Sequence, residues 1–95
     1  MLFEQEYEEI IAKIILKYGK KAQVTQAIEE MAELTKELTK NINRGAKNDK
    51  EVEEELADVL VMMVQLIIIY DLKPENIIKI IKIKLKRQNK RMREE

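Results

Sequence analysis

Apolar residues recur along this chain every three or four positions, and glycine or proline interrupts the pattern at three places. Phe3, Tyr7, Ile10, Ile11, Ile14 and Ile15 share one face of a first helix, predicted over about Phe3 to Tyr18, with Gly19 as a left-handed stop. A second helix begins near Lys21 and ends between Lys40 and Arg44, ahead of Gly45. At about 100° per residue, its residues Val24, Ala27, Ile28, Met31, Leu34, Leu38 and Ile42 form an apolar stripe. A polar stripe of Gln23, Gln26, Glu30, Glu33 and Glu37 runs beside it.

A third helix follows "AKND", where Asn48 or Asp49 can cap and Glu51 can complete a capping box with Asn48. It runs to Tyr70, is apolar nearly all round beyond Leu56, and is expected to be the most buried of the set. "DLKPEN" breaks the chain again, and Pro74 suits the first position of a fourth helix that continues to about Arg93. Ile77, Ile78, Ile81, Leu85 and Met92 are expected to point inward from it. The fold class is therefore all-α, of four-helix-bundle type, with residues 1–95 as a single domain. A 95-residue chain buries only a modest core, so homo-oligomerisation is expected to complete the bundle.

The longest apolar run, "VLVMMVQLIIIY", is interrupted by Gln65 and is well short of the roughly 20 residues a membrane span needs. The opening "MLFEQEYEE" is acidic where a signal peptide is basic. Both features point to a cytoplasmic protein with no membrane partner.

Composition narrows the chemistry. The chain has no His and no Cys, and no Ser, which removes imidazole acid–base catalysis, thiolate metal sites and the usual nucleophilic triads. Carboxylates, amides, Lys, Arg, Tyr and Thr remain, a set suited to a hard cation such as Mg²⁺. Net charge is zero, yet residues 29–58 hold ten acidic side chains against five basic ones, and residues 79–93 hold eight basic and none acidic. The basic segment lacks interleaved aromatics, and with a pI near 6.4 the balance argues against nucleic acid as a partner.

Within the acidic segment, Glu30 with Glu33 and Glu55 with Asp58 are i, i+3 pairs, so each pair projects from one face of its helix. Facing pairs would gather four carboxylates, which repel one another unless a cation lies between them. The two pairs stand at the same height if the second helix ends near Lys40. If it continues to Arg44 they are offset by roughly 6 Å, and tilt would have to close the gap. Asp58 is the residue to explain, since its neighbours Leu56, Val59, Leu60 and Val61 are apolar. It must be solvated, bound to a metal, or paired with a lysine of the fourth helix.

"EEMAE" followed after 21 residues by "ELAD" resembles the EExxE…ExxD signature of the MazG-like all-α nucleoside triphosphate pyrophosphohydrolases, and the resemblance covers nearly the whole chain. Phosphoribosyl-ATP pyrophosphohydrolase shares the scaffold as a more distant likeness. The resemblance implies Mg²⁺ ligands at Glu30, Glu33, Glu55 and Asp58, with Mn²⁺ as a substitute. It also implies hydrolysis of (d)NTP to (d)NMP and pyrophosphate by a metal-bound water with no side-chain nucleophile. A nucleoside triphosphate would be the substrate, a homodimer or homotetramer the assembly, and nucleotide-pool clearance the purpose. Lys84, Arg87 and Arg91 form one basic stripe on the fourth helix, suited to the phosphate charge that the metal leaves uncovered. Gln23, on the stripe of Glu30, could read a base edge. The competing expectation is a non-catalytic helical oligomerisation module in which these carboxylates pair with lysines.

Overall fold

Periodicity of 3.6 and near-absence of strand-forming turns give a chain of helices, and the computed structural model, which describes residues 3–95, contains four of them. They are α1 (Gln5–Tyr18), α2 (Lys20–Arg44), α3 (Asp49–Ile69) and α4 (Pro74–Glu94), with no strand among the described residues. Gly19 closes α1 through its N–H to the Ile15 carbonyl, but at φ 92°, ψ 158° it is extended rather than left-handed helical. Only glycine adopts that conformation readily, and α2 starts at the very next residue. Pro74 opens α4 as expected. At the end of α3, the N–H groups of Asp71 and Leu72 return to the carbonyls of Ile68 and Ile67, a Schellman closure that holds Asp71 at φ 51°.

The tightest packing is the antiparallel pair α2–α3. Gln23 and Ala27 are buried on α2, and Glu30, Leu34, Glu37 and Asn41 are half-buried. These positions alternate four and three apart, the spacing of a packed helix seam. Across from it, Asn48, just ahead of α3, and Val52, Glu55, Val59, Met62 and Leu66 on α3 show the same spacing and are likewise buried or half-buried. The seam therefore runs along the border between the two stripes of α2 rather than down its apolar stripe. Ile28 and Ile42, at 60% and 80% exposure, are left in the open.

Helix α2 does continue to Arg44, and yet no offset results. The left-handed Gly45 turns the chain, and the Ala46 N–H returns to the Lys40 carbonyl. Residues 45–48 then run back along α2. Asn48 arrives beside Glu37, donating from Nδ2 to the Glu37 carbonyl at 2.9 Å, and accepting from Asn41 Nδ2 at 3.2 Å. The expected capping box with Glu51 does not form, because the Asn48 side chain is engaged across the seam and makes no cap hydrogen bond.

Helix α1 packs on α3 and on the start of α2, burying Ile11 and leaving an open apolar groove of about 340 Å³ beside Tyr7, Ile10 and Val61. Helix α4 corrects the bundle expectation. It meets α3 only near the break, around Ile67, Pro74 and Ile77, and it has no buried residue. Ile78, Ile81, Leu85 and Met92 are 48%, 47%, 64% and 55% exposed instead of inward. The radius of gyration is 16.3 Å, against roughly 12 Å for a compact domain of this length. Helix α3 is the most buried of the four, as its composition demands, with Val59, Met62, Val64 and Gln65 enclosed.

Asn48→Ala removes both seam hydrogen bonds of that side chain. It is expected to lower stability by about 1–2 kcal/mol, read from urea unfolding with the slope unchanged. A loss below about 0.5 kcal/mol, the level of an ordinary surface change, would mean that apolar packing alone sets the register.

Candidate metal centre

The seam brings carboxylates together. On α2, Glu30 falls opposite Val59, between Glu55 and Asp58 of α3, as a side chain in an antiparallel pair sits among those of the facing helix. One carboxylate oxygen from each of Glu30, Glu55 and Asp58 lies within 4.8 Å of the others. Glu30 is oriented by Gln26, whose Nε2 donates to Glu30 Oε1 at 2.7 Å from one turn earlier. Among the described residues none of the three has an ion-pair partner.

Electrostatics registers the crowding. The Glu55 carboxyl is pushed above its ordinary value, first by loss of solvation and then by the negative charges of Asp58, Glu30, Glu33 and Glu37. Glu33 is thus close enough to Glu55 to repel it but stands outside the three-carboxylate group. Glu37, a position the sequence reading placed on the polar stripe without a role, also bears on Glu55. Its Oε2 is sealed from solvent without a hydrogen bond, with Lys40 Nζ at 3.5 Å as a loose ion pair. The signal for Gln26 and Glu37 was present in the sequence as spacing: both share the polar stripe of Glu30.

Of the fates open to Asp58, the single chain shows solvation. It is exposed, as are Leu56, Leu60 and Val61 around it, because α4 does not cover this flank of α3. Nor does a lysine of α4 reach it: the ion pair among the described residues is the one between Lys40 and Glu37. Lys84, Arg87 and Arg91 stand exposed on the projecting α4. Gln23 is buried in the seam two turns before Glu30. The structure therefore gathers three of the four candidate ligands, keeps Glu33 at their edge, and leaves the basic stripe apart within the single chain.

Three oxygen ligands converging without a basic partner fit a hard divalent cation, which would offset both the lost solvation and the repulsion that raise Glu55. A family model, the MazG nucleotide pyrophosphohydrolase domain, matches residues 19–92. The chain belongs to this family. The matched segment opens at Gly19, takes in α2, α3 and nearly all of α4, and leaves α1 outside. No curated protein and no solved structure matches the chain. In this MazG domain, the "EEMAE" and "ELAD" segments lie within the matched residues, on the two helices of the seam, and together supply Glu30, Glu55 and Asp58 of the carboxylate cluster.

A pH prediction follows from Glu55. Its folded pKa lies above the unfolded one, so the folded state holds the extra proton and metal-free stability falls as pH rises between the two values. A cation needs the ionised carboxylate, so the increase in melting temperature given by Mg²⁺ is expected to be largest above the folded pKa and to vanish as pH drops through it. Thermal unfolding with and without Mg²⁺, from about pH 4 to pH 8, checks both slopes. An Mg²⁺ effect equal across that range would separate the stabilisation from these carboxylates.

Proposed function

We propose that this MazG domain, taken as one unit over residues 1–95, is a Mg²⁺-dependent nucleoside triphosphate pyrophosphohydrolase. It converts (d)NTP to (d)NMP and pyrophosphate by cleavage between the α and β phosphates. The observation that carries the reading is the convergence of Glu30, Glu55 and Asp58 within 4.8 Å on two helices inside the residues that the family model matches.

Glu30, Glu55 and Asp58 would hold the cation, with Glu33 as the fourth ligand from the edge of the cluster and Mn²⁺ as a substitute. When bound, the metal supplies charge neutralisation at the phosphates and activates water for attack at phosphorus. That role suits a chain without Ser, Cys or His. Gln26 fixes the Glu30 carboxylate through its 2.7 Å hydrogen bond, so the ligand oxygen is oriented before anything binds. Lys84, Arg87 and Arg91 offset the remaining phosphate charge, and Gln23 contributes a hydrogen bond to the nucleotide. Clearance of unwanted nucleotides in the cytoplasm is the corresponding role. No helix among the described residues is long and apolar enough to cross a membrane.

The working form is a homodimer or homotetramer. Support comes from the apolar surface left by the single chain: Ile28, Leu38 and Ile42 on α2, Leu56 and Leu60 on α3, and Ile81 and Leu85 on α4 are all at least 45% exposed. Faces of that kind are covered in stable assemblies. The same exposure favours the second reading, a non-catalytic helical module whose only task is assembly.

Pyrophosphate release from a panel of canonical and modified (d)NTPs with Mg²⁺ separates the two. The wild type is expected to act on at least one of them, and Asp58→Asn, still helical by circular dichroism, is expected to lose about 100-fold or more, since a lost ligand forfeits several kcal/mol of transition-state stabilisation. Silence from both proteins, with no Mg²⁺ effect on melting, would leave the assembly module.

A further inference from the structure

Two turns from the carboxylates, the α2–α3 seam encloses two amides. Gln23 is 8% exposed and Gln65 2% exposed, although glutamine is mostly a surface residue. Gln23 precedes Glu30 by seven positions on α2, and Gln65 follows Asp58 by seven on α3. Because the helices are antiparallel, both lie on the same side of the cluster, about 10 Å along the seam. The register that sets Glu30 between Glu55 and Asp58 sets Gln23 among Met62, Gln65 and Leu66.

One acceptor of the pair is unsatisfied. Neither side chain takes part in a hydrogen bond among the described residues, and Oε1 of Gln65 is sealed from solvent without a donor. An orphaned amide oxygen is less stable there than an apolar group of the same shape would be. The positions between the amides and the carboxylates are Ala27, small and 1% exposed, and Met62, 5% exposed. A methionine is the core side chain that repacks most easily, so Met62 is the residue whose displacement would give access to the amides while Ala27 and Val59 keep the register.

We infer that Gln65, together with Gln23, reads the nucleobase of the nucleotide whose phosphates the carboxylate site holds, an inference that rests on the proposed function. Oε1 of Gln65 accepts from a ring N–H or an exocyclic amino group, and the Gln23 amide donates to the neighbouring acceptor on the base edge. An amide carries donor and acceptor side by side, the complement of a base edge. The sugar and base of a nucleotide extend along the seam from an α-phosphate at the carboxylates. Discrimination at this end works by hydrogen-bond pattern alone, since neither amide is charged, and a site whose buried acceptor goes unpaired rejects the wrong partner strongly.

The test uses binding, so that it does not depend on turnover. Calorimetry with Mg²⁺ compares α,β-methylene analogues of four nucleoside triphosphates, and inorganic tripolyphosphate as a probe without a base. Wild-type protein is expected to separate the best from the worst base by about tenfold or more in Kd. Gln65→Met should bring the four to within about threefold by weakening the best, with tripolyphosphate affinity unchanged and melting temperature not lowered. In the wild type, the side-chain amide signal of Gln65 in nitrogen-15 NMR should shift with the preferred analogue and stay in place with tripolyphosphate. A base ranking that survives Gln65→Met, equal affinities in the wild type, or an unmoved Gln65 signal would overturn the inference. Ranked binding without pyrophosphate release from the parent triphosphates would instead remove the hydrolytic reading and leave base readout standing.

Discussion

The register between α2 and α3 is the constraint on which the carboxylate site depends. Glu30 meets Glu55 and Asp58 only because the loop after Gly45 runs back and places Asn48 beside Glu37. A slip of one residue would move each carboxylate by about 1.5 Å along the axis and about 100° around it, enough to disperse the cluster. The charges themselves push the helices apart, and that repulsion adds to the loss of solvation that raises the Glu55 carboxyl. Apolar packing of Ala27, Val59 and Met62 and the Asn41–Asn48–Glu37 hydrogen bonds oppose it. Local conflict held in place by surrounding structure is what a functional site is expected to show.

The outer surface has a second imbalance. Ile11, Ala27, Val59, Met62 and Val64 are the buried apolar residues, few for a chain that is 45% apolar. Much of the remaining apolar content is exposed, on the open stripe of α2, along α4, and at positions such as Leu16 of α1 and Leu56 and Leu60 of α3. Two segments of opposite charge are also left without each other, the acidic α2–α3 face and the basic end of α4. Apolar faces without cover and charges without counterparts both favour association of this domain.

Much of this was legible in the sequence. Gly19, Gly45 and Pro74 mark the three breaks to within a residue or two of the observed helix ends, because each acts through a local backbone preference. The carboxylate pairs were legible because i, i+3 spacing on a helix fixes a face without reference to the rest of the fold. What the sequence left open was tertiary. The strongest apolar stripe of α2 was the natural candidate for the core, yet α3 packs along its border, where Gln23, Ala27, Glu30, Leu34, Glu37 and Asn41 also carry the four-and-three spacing of a seam. Hydrophobicity ranked the stripes, and their shared spacing hid which one was chosen. Asn48 was assigned to a cap by its neighbours, whereas its amide crosses to α2, a partner distant in sequence. The fate of Asp58 stayed open because periodicity cannot tell that α4 departs from the bundle and leaves this flank of α3 exposed.

The seam also explains why a polar face can lie inward in so small a protein. Its two helices meet through a graded strip: carboxylates near the middle, small and flexible apolar residues at Ala27 and Met62, then the amides of Gln23 and Gln65. An all-apolar seam of the same spacing would be more stable, so the strip is a departure from the most stable packing. Its arrangement is also not that of a salt-bridged interface, since Glu30, Glu55 and Asp58 lack basic partners among the described residues. Under the proposed function, carboxylates that hold a cation at one level and neutral hydrogen-bonding groups at another would suit a solute with phosphates at one end and a hetero-aromatic base at the other. On that proposal the polarity of the seam serves the ligand it would hold, and its apolar positions keep the arrangement in register.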